Sequence, residues 1–384
     1  MSDSLPTVWH AEPHTLVKHA ILNRYLQAWF PILTQQASLL KARTGKTQSR
    51  EILFVDGFAG PGLYERGEPG SPLIALNAAI QHSIDFPMPV RMLFIEHRHD
   101  RFVHLQSVIA PYLAKAKSSK NVRAVEPHEG DCDTVLNQLL DEFEKKRSQF
   151  GPALAFLDQF GYGAVSMKLI HRILSYPQCE VFSYLNYKEM NRWITDPHKA
   201  DAFTRAFGGE EWRECKDLPE KERRAELLLK YKAALKNRAN AKYVVSFLMF
   251  DANDLPLYWL LFCTNNLRGL EEMKRAMWAV DKTGEFRFSD NEAPGQLQLL
   301  ELAFDDAWLA ERLQSTFGGK TRTALAVKEY VLVDTPCYLF RGALSSLESD
   351  QQIDVSAPAQ RKPRTFPDEH LDKIRITFHK KLFD

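Results

Sequence analysis

Four short stretches of this 384-residue chain place acidic residues at or just beyond the ends of apolar runs: 'FVDGFAGPG' from residue 54, 'LFIE' ending at 96, 'EGDCD' from 129 and 'FLDQFGYG' from 156. In the first, Asp56 ends the run and Gly57, Gly60 and Gly62 follow, with Phe58 and Ala59 between them. Glycine is required where backbone turns sharply or must approach a ligand without a Cβ in the way. In the second, Glu96 stands where an acidic side chain accepts hydrogen bonds from ribose hydroxyls. Asp131, beside Cys132, can meet an adenine amino group; equally, Asp131 or Asp133 can cap a helix starting near Thr134. Asp158 and Gln159, followed by Phe160 and Tyr162, belong where a substrate would meet the ligand. The order of the four clusters is more specific than any one of them. Asp56, Glu96, Asp131 and Asp158 are also hard oxygen ligands, which leaves a divalent metal open as an alternative. No GxxxxGK[ST] pattern occurs, which disfavours a P-loop NTPase.

The elements that must position these residues are legible as apolar runs at 52–56, 90–96, 121–126, 153–158 and 179–185. Each of the first four precedes a helix-compatible segment, an alternation that predicts a parallel, doubly wound α/β sheet. Ligands of such sheets bind outside the carboxyl ends of the strands. Runs at 243–250 and 257–264, separated by 'DANDLP', predict a hairpin with an antiparallel final strand. Five parallel strands closed by a hairpin describe the Rossmann-like sheet of class I methyltransferases. The spacing from Gly62 to Glu96 exceeds the roughly 20 residues of a dinucleotide fingerprint. 'LYERGEPG' supplies the excess, with Ser71 as N-cap and Pro72 at the first helical position, so the next helix starts about ten residues late. Glu65, Arg66 and Glu68 in that extension form either a solvated loop or a lid beside the site.

Residues 14–39 have the three-and-four spacing of an amphipathic helix that Pro31 is expected to kink or split. On it, Lys18 and His19 are candidates to close over a cofactor or bind a phosphate. Residues 187–240 are charged and mostly helical, an inserted cap, and Asn186, Tyr187 and Lys188, just beyond the run at 179–185, are candidate substrate contacts, with a solvated helix start as the alternative. Met273, Met277 and Trp278 have helical spacing and read as core. From residue 321, two short helices, a turn around Thr335 and Pro336, a proline-rich loop and a strand follow in the order of a winged helix. Arg361, Lys362 and Arg364 lie in its wing, along a phosphate backbone or simply in solvent. The expected organisation is an N-terminal helical segment over 1–50, an α/β domain over 51–300 and a winged-helix-like module over 318–384.

Composition bounds the function. A formal net charge of +1 gives no global footprint of a nucleic-acid binder, so any such contact is local. With 45% hydrophobic and 26% charged residues the chain has material for a core. Five scattered cysteines without a CxxC pair argue against a disulfide framework or zinc site and fit a reducing cytoplasm. No apolar stretch reaches about 18 residues, so no membrane span is expected.

The stretches 'KHAILNRYLQAWFPIL', 'FVDGFAGPGLYERGEPGSPLIAL', 'FLDQFGYG' and 'GLEEMKRAMWAVD' resemble the three-Cys-motif partner protein (TcmP) family over roughly residues 9–290. These are bacterial proteins named for being encoded beside a three-cysteine-motif, radical-enzyme-like protein. The resemblance implies a class I methyltransferase-like fold, with S-adenosyl-L-methionine held by Asp56 to Gly62, Glu96, Asp131 and Cys132, and that three-Cys-motif protein as partner. Where the family tends to read Asp-Pro-Phe-Gly, this chain reads Asp158, Gln159, Phe160, Gly161. In amino-methyltransferases with a similar motif, the acidic or amide side chain and the next carbonyl accept hydrogen bonds from the target amine. Gln159 keeps that carbonyl and loses the rigid φ of proline. The expected function is methyl transfer to a large acceptor, foremost nucleic acid. The alternatives are a catalytically silent partner of the neighbouring enzyme and a metal-dependent nucleic-acid-processing enzyme.

Overall fold

The computed structural model describes residues 6–44, 51–148, 150–159, 161–291, 304–357 and 361–380. The chain divides into two compact units, Met1–Ala276 with Phe288–Pro294, and Met277–Arg287 with Gly295–Asp384.

The first unit is built on β1 (Ile52–Asp56), β2 (Val90–Glu96), β3 (Val122–Glu129), β4 (Ala153–Leu157), β5 (Cys179–Leu185), β6 (Tyr243–Phe250), β7 (Pro256–Thr264) and the short β8 (Arg287–Ser289). Their order in the sheet is β3-β2-β1-β4-β5-β7-β6-β8. Neighbours among β1 to β5 pair in parallel, and β7 runs antiparallel to both β5 and β6. This is a mixed α/β fold with the five parallel strands and closing hairpin expected of a methyltransferase-like sheet. Every residue of β1 and β4 is buried, which is why both strands are uninterrupted apolar runs. From β1 the chain moves outward to β2 and β3, then returns to pair β4 with the other edge of β1. A crevice at that reversal, outside the carboxyl ends, is where open α/β sheets bind ligands.

The connecting helices are α1 (Pro13–Thr44), α2 (Ser71–Ile80), α3 (His99–Ser118), α4 (Cys132–Lys145) and α5 (Met167–Leu174). α6 (Tyr187–Trp193), α7 (Ala200–Phe207) and α8 (Glu220–Asn237) form the helical insertion, and α9 (Leu267–Trp278) follows the hairpin. Contrary to the expected split, α1 continues through Pro31. Burial of Tyr25, Leu26, Trp29 and Phe30 before the proline and Leu33 after it anchors the helix on both sides. The linker expected before β1 lies outside the described residues from position 45. No described helix is long and apolar enough to cross a membrane.

The second unit contains α10 (Asp306–Phe317), β9 (Thr321–Thr323), α11 (Ala324–Asp334), α12 (Arg341–Ser349), β10 (Ile353–Ser356) and β11 (Arg375–Phe378). The strands form an antiparallel sheet in the order β10-β11-β9. The two helices around Thr335 and Pro336 stand where the sequence placed them, whereas α10 and the three-residue β9 had not been anticipated. A boundary at 318 omits α10, yet Leu309, Leu313 and Phe317 belong to the same buried cluster as Val327, Val331, Leu344 and Ile376. Trp278 donates through its indole nitrogen to the Pro336 carbonyl at 2.8 Å, and Met273 and Met277 are fully buried, in keeping with a core role. Leu313→Ala should therefore lower stability by about 2–5 kcal/mol in urea unfolding followed on the second unit. An unchanged midpoint would remove α10 from that core.

Candidate functional site

At the first glycine of the turn after β1 the neighbours leave no space for a side chain. A Cβ on Gly57 would lie 2.5 Å from Cys132 Sγ and 2.9 Å from Leu157 Cδ2. The excess residues 63–70 close on themselves: Leu63 and Pro69 form an isolated bridge, and Gly70 N donates to Gly62 O at 2.9 Å. A side chain at Gly70 would meet that same carbonyl at 2.9 Å, so the closure requires glycine there. α2 begins immediately afterwards, with Gly70 as N-cap and Ser71 and Pro72 already helical, one residue earlier than expected. Glu65 and Arg66 are solvent-exposed, while Tyr64 turns inward, its ring 5.7 Å from that of His19.

Glu96 locks this turn to the end of β2. Its buried carboxylate accepts from Gly60 N at 2.9 Å and from Arg98 N at 2.8 Å. Beside it opens a cavity of about 590 Å³ lined by Gly57, Phe58, Glu96, Asp131, Cys132 and Ala164, among others. That volume lies within the range of small-molecule sites. Asp131 caps α4, one oxygen accepting from Thr134 N at 2.9 Å and Thr134 Oγ1 at 2.8 Å, and it also faces the cavity. Capping and lining are thus compatible in one carboxylate, because a second oxygen remains. Asp133 turns away, accepting from Ser166 N and Oγ and pairing with Arg205.

Asp56 is fully buried, and its Oδ2 has no hydrogen-bond partner among the described residues. Burial, with smaller contributions from the charges of Asp158 and Glu96, pushes its pKa up to about 7, against hydrogen bonds from Ser71 and Phe58 N. Next to it, Lys18 forms an ion pair with Asp158 and stands 6.0 Å above the Tyr258 ring. Lys18 therefore serves Asp158 and is not a free phosphate ligand. His19 is buried, and burial together with Lys18 lowers its pKa to about 3. A neutral imidazole offers one N–H donor and no charge. Tyr184 and Tyr258 pack at a tilt with ring centroids 4.3 Å apart, and the buried Tyr258 hydroxyl has no partner among the described residues. His14 pairs with Asp290 at 2.7 Å and packs edge-on to Tyr258. The sequence singles out none of Tyr184, Tyr258 and His14, and Tyr64, though inside the extended loop, is not picked out from it.

Several expected substrate residues have other duties. Gln159 is buried: its amide donates to Tyr184 O at 3.1 Å and its Oε1 accepts from Val165 N at 3.1 Å. Its side chain is a brace between the ends of β4 and β5 rather than an acceptor contact. The brace supplies by hydrogen bonding the rigidity that proline would supply through φ. Phe160 lies outside the described residues. Tyr162 packs on Phe203 of the helical insertion at 4.6 Å. Asn186 caps α6, Tyr187 is buried with its hydroxyl on Glu220 O at 3.2 Å, and Lys188 is exposed. In the second unit, Arg361 pairs with Glu348 and stacks on Phe366 at 5.0 Å, with its side chain 11% exposed. The expected trio of cations reduces to the exposed Lys362 and Arg364. Among the described residues, no group of three or more His, Cys, Asp or Glu is placed to hold a metal ion. The four strand-end carboxylates are held apart by separate partners.

No family model matches the chain, and no curated protein matches it. A solved structure of a proposed O-methyltransferase from Klebsiella pneumoniae is 12% identical, covering 69% of this chain and 92% of that one, with a TM-score of 0.28. A proposed caffeoyl-CoA O-methyltransferase from Staphylococcus aureus is 10% identical over 61% and 83%, with a TM-score of 0.27. A SAM-dependent methyltransferase from Agrobacterium tumefaciens is 9% identical over 62% and 63%, with a TM-score of 0.28. Scores this low add nothing to the assignment of the fold, which rests on strand order.

Two outcomes follow from these bonds. Gln159→Ala leaves the Val165 N–H and the Tyr184 carbonyl without their partner and should cost about 1–3 kcal/mol in equilibrium unfolding; an unperturbed variant would refute the brace. Asp56 binds its proton more tightly folded than unfolded, so its contribution to stability declines as pH rises from about 4 to about 7. Asp56→Asn should remove one proton's share of that slope, while Glu180, also pushed up to about 7 by burial, keeps its own. Identical slopes in parent and variant would contradict the assignment.

Proposed function

We propose that this chain is an S-adenosyl-L-methionine-dependent methyltransferase, with the cofactor in the cavity beside Glu96. The observation that carries the reading is the placement of that cavity on the carboxyl edge of β1 to β3, between the glycine turn, Glu96 and Asp131. Both Glu96 oxygens retain a lone pair beyond their backbone bonds, available to ribose hydroxyls. The uncommitted oxygen of Asp131 is suited to an adenine amino group. Asp56, with one orphaned buried oxygen, is suited to the cationic amine of the methionine end. When bound, the cofactor supplies an electrophilic methyl group. Asp158, held by Lys18 at the mouth of β4, then orients the acceptor and accepts its hydrogen bond. Gln159 acts as a positioning residue for Asp158, and its backbone carbonyl is the second acceptor the motif offers.

The acceptor is read as a large one, nucleic acid foremost. Support comes from the helical insertion beyond β5 and from the helix-strand-helix-helix-strand-strand order of the second unit, which we interpret as a winged helix presenting Lys362 and Arg364. Membership of the three-Cys-motif partner family, and with it a radical-enzyme-like partner, rests on the sequence motifs.

Calorimetry with S-adenosylmethionine and S-adenosylhomocysteine tests the reading. Both should bind the parent, and Ala164→Trp, which projects an indole into the cavity, should weaken both by at least about 100-fold, roughly 2.8 kcal/mol. Asp158→Ala should still bind the cofactor yet fail to transfer methyl to DNA or RNA. Failure of the parent to bind either compound would overturn the proposal, and binding without transfer to DNA, RNA or protein would favour the silent-partner role.

A further inference from the structure

The cavity has a wall that its glycine turn and strand ends do not supply. Pro6 and Trp9, from the segment before α1, line it together with Arg98 and Arg101 from the start of α3. The Trp9 ring lies on the glycine turn itself, its Cη2 3.6 Å from where a Cβ of Gly60 would stand. Arg101 stacks its guanidinium over the Trp9 ring at 4.3 Å and donates to Pro6 O at 3.2 Å. Thr7 Oγ1 donates to Asp100 Oδ2 at 2.6 Å, and Asp100 in turn holds Arg98 through two further bonds. On the other side, Trp9 O accepts from Glu65 N at 3.0 Å, and the Trp9 ring meets Tyr64 edge-on at 5.6 Å. The segment is thereby fastened at both flanks of the cavity, to α3 and to the closed loop 63–70.

We propose that Pro6–Trp9 is a clasp over the cofactor cavity, and that Trp9 covers the adenosine end of a bound S-adenosyl group; this rests on the methyltransferase reading above. The two fastenings differ in kind. The Thr7 to Asp100 bond is solvent-exposed and competes with water, so it is inexpensive to open. The stack of Arg101 on Trp9 is partly buried and aromatic, and holds the segment closed more firmly. Planar ligands gain from an indole already oriented over the cavity, since no rotamer freedom is lost on binding. The delayed start of α2 acquires a purpose here: the loop it makes room for supplies Glu65 N and Tyr64 as the second anchor of the clasp.

Stopped-flow Trp fluorescence with S-adenosylhomocysteine on the full chain tests this. Thr7→Val should accelerate association and dissociation together, each several-fold, with the Kd nearly constant. Trp9→Ala should raise the dissociation rate by about tenfold or more, and Trp9→Phe should restore most of the loss. Since Trp9→Ala removes a fluorophore, its rates are read by competition with a labelled cofactor analogue, and thermal unfolding verifies that it folds. Unchanged rates in Thr7→Val and Trp9→Ala, with the parent binding normally, would overturn the clasp while leaving the methyltransferase reading standing. A parent that binds no S-adenosylhomocysteine would overturn both.

Discussion

The site depends on one buried carboxylate. By accepting the N–H groups of Gly60 and Arg98, Glu96 fixes the glycine turn of β1 to the first residues beyond β2. Charge-assisted bonds to backbone in a desolvated place are strong and directional. The cavity opens beside that fixed turn, outside the carboxyl ends of the strands. The positions of Trp9, Phe58 and Asp131 around the cavity all refer to that fixed turn. The cavity is consequently a property of backbone geometry, with side chains contributing its chemistry.

Each of the other strand-end carboxylates is treated differently by its surroundings. Asp56 is buried with one oxygen unpartnered among the described residues and holds a proton up to about pH 7, Asp131 spends one oxygen on a helix cap, and Asp158 is matched by Lys18. Four acids within one edge would repel one another strongly if all were ionised and unpaired. Their separate compensation reduces that repulsion, and what remains of it contributes to the raised pKa of Asp56. It also explains why they do not gather as a metal site.

Much of the architecture was legible in the sequence because it is written locally. Uninterrupted apolar runs gave β1, β2, β4 and β5 within a residue of their bounds, and the break at 251–256 gave the hairpin. Ser71 and Pro72 gave the late start of α2 to within one residue. What was not legible depends on partners remote along the chain. Gln159 reads as a departure from a motif until Tyr184, 25 residues on, is seen to accept its amide. Tyr187 reads as a candidate substrate contact and Arg361 as a candidate phosphate contact until Glu220 and Glu348 are seen to bind them. Trp9 and Tyr64 carry no periodicity at all, and only the fold shows that one closes on the other.

The central claim is that Glu96 marks the ribose end of an S-adenosyl site. A crystal structure of the chain grown with S-adenosylhomocysteine tests it most directly. The account predicts ligand density between Gly57 and Asp131, with both ribose hydroxyls within hydrogen-bonding distance of the Glu96 carboxylate and the sulfur directed toward Asp158. Density elsewhere, or a ligand in that cavity whose ribose makes no contact with Glu96, would contradict it.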